Sequence, residues 1–207
     1  MLDSQGAPGR RERKKHDTYR AIAAAAIRLV SERGLDGVTV DDISAVADVS
    51  PRTFFNYFGS KEDAVLLPYP DTDEREKRGR VAILEAPAEL STLEAVHRAV
   101  RGDLGQFLDD REEWLMRLKV IEDNPSLIQR MISARSGSEQ LMVEAIAERA
   151  GVEPTHLFPR LLTGAVMISI SCALRQWSAT GGVDDLHELV DAAFATFAAG
   201  FPDPETA

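Results

Sequence analysis

Three helix starts crowd the stretch between Thr39 and Asp63, and no other part of the sequence limits the fold so tightly. Thr39 followed by Asp42 is a capping-box pattern, in which the hydroxyl takes the third amide of the helix and the third side chain reaches back. Ser50 is an N-cap ahead of Pro51, at the one helical position where a missing N–H costs nothing. Ser60 with Asp63 repeats the capping pattern, and Gly34 and Gly59 supply stops. Chain punctuated this often forms short helices joined by tight turns. The first carries Ile43, Val46 and Ala47, Asp48-Val49 makes the turn, and the second runs from Pro51 to about Phe58. The third starts at Lys61 and carries Ala64, Val65 and Leu67. Ahead of them Ile22, Ala23, Ala26, Ile27 and Val30 follow helical spacing between about Thr18 and Arg33. That helix and the first two short ones, the last pair joined by the tight turn at Asp48-Val49, make a helix-turn-helix.

Such a motif reads DNA only if its second helix is apolar inward and carries donors, small groups and rings outward. Phe54 and Phe58, four apart, should face Ile27, Ile43 and Ala47. Arg52, Thr53, Phe55, Asn56 and Tyr57 are then left exposed or half-exposed. Two aromatics beside Arg and Asn are costly on a solvated face, so this face is expected to contact a partner.

The formal charge of -10 and a pI near 4.9 count against nucleic acid only if the acid is spread evenly. It is not. Residues 1–66 hold ten basic and ten acidic residues, so the whole excess lies in 67–207. Arg10, Arg11, Arg13, Lys14, Lys15 and Arg20 cluster near the start, opposed only by Glu12 and Asp17. A local polyanion site there stays open. Residues 1–15 are expected to form a flexible basic arm that reaches the DNA backbone or minor groove.

The remainder reads as helical. Pro68 and Pro70 mark a boundary, dividing a helix-turn-helix domain at 16–67 from a larger domain at 68–207. The charged stretch Asp71 to Arg80 is expected as an exposed helix. Further helices are expected at about 91–109, 111–122, 125–149, 154–179 and 184–199, for nine or ten in all. Gly102, Gly105 and the Ser136-Gly137-Ser138 triplet weaken two of these. The longest strongly apolar run, Leu161 to Leu174, is fourteen residues, suited to a buried helix rather than a bilayer span. The lone Cys172 excludes an internal disulfide and any multi-thiolate zinc site. With no apolar block after the N-terminal charges, a cytoplasmic, all-α protein without a membrane partner is expected.

The stretch VTVDDISAVADVSPRTFFNYFGSKEDAVL, residues 38–66, resembles the N-terminal signature of the TetR family of bacterial transcription regulators. Its core is VSPRTFFNYFGSKED, residues 49–63, and the likeness covers about residues 16–66. The resemblance implies that Thr39 bonds a DNA phosphate and that Ser50, Pro51, Arg52 and Thr53 meet bases and nearby phosphates. It places Phe55 and Asn56 on the groove-facing side and gives phosphate roles to Tyr57 and Lys61. Arg52 is the candidate for direct readout, since a guanidinium bonds guanine O6 and N7 together. The chain departs from the common pattern at Phe55, where many members carry tyrosine, which removes a hydroxyl donor.

A single recognition helix gives little specificity, so a homodimer on a double-stranded palindromic operator is expected. Helices 154–179 and 184–199, with wide apolar surfaces, are the expected dimer elements. The resemblance also implies a small-molecule effector of unknown identity, hydrophobic if its site is lined by Leu104, Phe107, Leu108, Trp114, Leu118, Ile121, Met131, Met142 and Cys172. Arg175 is the expected partner of an anionic head group. The chain is thus read as a ligand-released repressor, with a DNA-binding regulator or architectural DNA binder lacking a small-molecule effector as the alternative. Neither an enzyme nor a cofactor or metal site is expected, because GxSxG, HExxH and phosphate-loop patterns are missing and the four histidines are isolated.

Overall fold

Strong helix formers run without a breaker from Arg10 to Arg33, and they form one 24-residue helix, α1 (Arg10–Arg33). This is seen in a computed structural model that describes residues 10–67, 70, 72–134 and 136–200. The helix starts earlier than its apolar stripe does. Arg10 to Lys15, expected within a flexible arm, are therefore its first turns, and positions 1–9 of that arm lie outside the described residues.

Every cap expected in the helix-turn-helix forms. Thr39 and Asp42 make the full capping box at the start of α2 (Val40–Val46). Ser50 caps α3 (Pro51–Phe55), and Ser60 caps α4 (Lys61–Leu66). α3 is shorter than expected: Asn56 already closes it, and Tyr57 and Phe58 follow in the turn. The turn before it depends on Asp48, whose φ of 52° is left-handed. Aspartate tolerates that region better than most residues with a Cβ.

Next come α5 (Thr72–Leu84), α6 (Thr92–Asp103), α7 (Gly105–Asp109), α8 (Arg111–Asp123), α9 (Pro125–Ala134) and α10 (Ser136–Ala150). The long α11 (Leu157–Ala179) and α12 (Leu186–Ala198) end the described fold, which holds twelve helices and no strand among the described residues. The expected helix at 91–109 is divided in two at Leu104, between the glycines that weaken it, whereas Ser136, Gly137 and Ser138 are the first residues of α10. By length and composition α11 would suffice to cross a membrane, which exceeds the fourteen-residue run read from the sequence. Its buried face is spent within the fold, on α10 and α12.

The chain divides into two compact units. The first comprises Met1–Thr72 and Val120–Ile128, the second Asp73–Lys119 and Gln129–Ala207. In the first, α1 packs on α2 and α4, with Ile22, Ala26, Ile27, Ile43, Phe54 and Phe58 buried. In the second, Val96, Ile146, Val166, Trp177, Val190 and Phe194 belong to one apolar core, contributed by α6, α10, α11 and α12. Polar ties brace it. Asp191 on α12 receives His97 at 2.8 Å and Arg101 at 3.0 Å, both from α6, while the His97 ring stacks on Phe194. Gly182 has a φ of +73°, and a Cβ there would lie 2.6 Å from Arg111 Nε, so any other residue would be strained and would displace the arginine.

Candidate nucleic-acid interface

The entry to α2 is fixed by three short bonds. The Asp42 amide donates to Thr39 Oγ1 at 3.1 Å, while the Thr39 amide and hydroxyl donate to Asp42 Oδ2 at 2.9 and 2.5 Å. Those two donations, the hydroxyl's first and the amide's second, hold the Asp42 carboxyl below the usual carboxylate range, with Arg33 at 3.8 Å adding a little. Thr39 is exposed, but its hydroxyl proton already has an acceptor. A phosphate at this position must win that proton from Asp42 or take only the edge of the cap.

α3 presents the outward face that its sequence implies. The Thr53 amide donates to Ser50 Oγ at 3.1 Å, and the two hydroxyls lie 2.8 Å apart. Pro51, Arg52, Phe55 and Asn56 are exposed, and Thr53 and Tyr57 are half-buried. Phe54 and Phe58 are buried, their rings 5.8 Å apart, so the inward face is the apolar one. Phe55 stays 58% exposed although its edge meets the Phe54 ring at 5.4 Å. Tyr57 sits edge-on to Tyr19 of α1 at 6.3 Å, and Tyr19 also packs on Phe58 at 4.3 Å. One rigid aromatic knot thus ties the recognition helix to α1.

Lys61, expected at a phosphate, makes two bonds within the fold. Its ammonium donates to the Leu35 and Val38 carbonyls at 2.7 and 2.9 Å, and it is only partly exposed. Two of its three donors close the loop between α1 and α2, the same loop that delivers Thr39. In this arrangement Lys61 positions the cap of α2.

The expected effector-lining residues scatter. Leu104 is buried in the core of the second unit, and Phe107, Trp114, Leu118 and Met142 pack against it. Ile121 falls instead within the segment grouped with the first unit, and Met131 is half-buried on α9. Leu108, Cys172 and Arg175 are exposed, and Arg175 bonds the Ser171 hydroxyl at 3.3 Å. They stand on outward faces of their helices, which periodicity alone had not separated from inward ones. Sequence reading missed Arg117, which is 0% exposed. It donates to Glu113 at 2.6 Å and lies 5.6 Å from the Trp114 ring centroid. The i, i+4 pairing with Glu113 was visible, but such pairs usually lie on solvated faces.

Residues 90–202 match the family model described as the MftR C-terminal domain, and residues 22–66 match the model for bacterial regulatory proteins of the tetR family. The chain is 30% identical to the transcriptional regulator TcmR of Streptomyces glaucescens, covering 82% of this chain and 77% of that one. It is 26% identical to a putative mycofactocin biosynthesis regulator, MftR, of Mycobacterium tuberculosis, over 91% of this chain and 93% of that one. Among solved structures, the regulator FadR of Bacillus subtilis in complex with stearoyl-CoA superposes with a TM-score of 0.61. That match has 18% identity and covers 88% of this chain and 98% of the other.

Proposed function

Since the chain belongs to the TetR family of bacterial transcription regulators, we propose that it acts in the cytoplasm as a homodimeric, effector-released repressor on a palindromic operator. The observation that carries this reading is α3: Arg52, Phe55 and Asn56 are exposed along one short capped helix whose other face is buried. Arg52 reads a base, while Ser50, Thr53, Asn56 and Tyr57 set the helix on bases and nearby phosphates. Two such helices, held about 34 Å apart by the dimer, match one DNA turn.

The dimer forms through α11 and α12. Leu157, Leu161 and Ile168 on α11 are 65, 62 and 56% exposed, an unusual outlay of apolar surface on one helix. The effector enters the second unit near Phe107 and Trp114. Arg117, inside that layer, takes over from Arg175 as the partner of an anionic head group. An acyl thioester is the favoured class, supported by the apolar surroundings and by the ligand of the B. subtilis relative. The effector shifts the dimer only by its differential affinity for the bound and released shapes.

Fluorescence anisotropy tests this directly. The purified protein is titrated onto DNA from upstream of its own gene and onto shuffled DNA across a salt series, and stearoyl-CoA is then added to the complex. Sequence-dependent binding reversed by the thioester is expected. Equal binding to both DNAs would favour an architectural binder, and a complex indifferent to acyl-CoA would refute that effector class.

A further inference from the structure

The face of α1 that packs on the helix-turn-helix changes chemistry along its length. Val30, Ala26 and Ile22, spaced four apart, are buried there. One turn nearer the N-terminus the same stripe reaches Tyr19, which touches Tyr57 and Phe58. A further turn, about 6 Å along the axis, brings Lys15. The stripe thus runs from aliphatic to aromatic to cationic, and the change falls where the core ends and the recognition helix finishes. Arg13, Lys14 and Lys15 are all exposed, and among the described residues no ion pair holds any of them. A cation in line with a buried stripe, just past the rim of the core, has no use in packing.

We propose that the N-terminal turns of α1 form a second, rigid phosphate-binding site, in which Lys15, flanked by Lys14, bonds backbone phosphates next to the one held by Tyr57. This inference rests on the operator reading and extends it. A mobile arm would thread the minor groove and read its A·T character. A helix, at 10–12 Å across, is too wide for a groove of about 6 Å. Continuous helix from Arg10 through Tyr19 therefore commits these cations to the backbone, where they add affinity without sequence preference.

The test uses the full chain and two duplexes, one selected by the protein from random-sequence DNA and one shuffled. Affinity is measured against KCl concentration for wild type, Lys15→Ala, the Lys14→Ala/Lys15→Ala double variant and Lys15→Arg. Each phosphate contact contributes about 0.9 to the log–log salt slope, so Lys15→Ala in a dimer flattens it by about 2. The double variant flattens it further, Lys15→Arg restores it, and the preference for selected over shuffled DNA is unchanged throughout. An unchanged slope in the double variant would overturn the proposal, as would a loss of A·T preference in the flanks. Should wild type itself fail to discriminate the two duplexes, the operator reading falls, while the slope on shuffled DNA still decides the phosphate site.

Discussion

At the residue scale, Arg52 and Lys61 are the informative pair. Both are cations in the helix-turn-helix, yet one is exposed on α3 and the other donates to two carbonyls. Arg52→Ala is expected to cost about 1–3 kcal/mol on operator DNA and to relax preference at one base pair. Equal loss on all sequences would remove its reading role. Lys61→Ala is expected to lower folding stability by about 1.5–3 kcal/mol in urea melts, because it leaves buried carbonyls short of a charged donor. Its salt slope should stay near that of wild type. A stable variant with a flattened slope would return Lys61 to the phosphate. The same contrast shows what a sequence displays. Thr39, Ser50 and Ser60 could be read as caps because each bonds a partner three residues away. Lys61 reaches back 23 and 26 residues, and Arg149 on α10 bonds the carbonyls of Ile83, Ala86, Pro87 and Leu90, some sixty residues away. No local pattern encodes such ties.

At the element scale, α11 separates two roles that its sequence had merged. Leu162, Ala165, Val166 and Ala173 are buried and belong to the fold, whereas Leu157, Leu161 and Ile168 face outward. A continuous apolar run hides this division, since helical spacing fixes relative faces but not which of them meets the core. A double variant, Leu161→Asp with Ile168→Asp, is expected to keep native helix content and to sediment as a monomer, with dimer affinity down at least tenfold. An intact dimer would move the interface elsewhere. The cut within the expected helix at 91–109 was foreshadowed by Gly102 and Gly105, while Gly137 is simply helical, since periodicity does not say whether a glycine ends a helix or is absorbed by it.

At the scale of the whole molecule, three carboxylates link fold to pH. Asp42 and Glu94 are held below the usual range by the hydroxyls and amides of Thr39 and Ser91. For Asp191, burial works the other way, but hydrogen bonds from Arg101 and His97 outweigh it and leave the group lowered. A folded-state pKa below the unfolded one stabilises the fold above the ordinary carboxylate range, and that contribution fades as pH falls through it. Tm is therefore expected to be nearly flat from neutral pH to about 5 and to fall below about 4. Asp191→Asn should make that fall shallower and lower Tm at neutral pH by about 2 °C, a small effect because the pair is partly solvated. An unaltered acid limb in this variant would show that the tie between α6 and α12 carries no linkage.

The nine residues Val120–Ile128 group with the first unit, although α8 begins in the second and α9 ends there. The polypeptide therefore passes between the units three times, not once, and Leu127, fully buried, lies in the stretch that returns to the first. A gene fragment stopping after residue 72 would leave out nine residues of the first unit. The first unit is not one continuous length of chain, so no single junction in the gene marks where it ends.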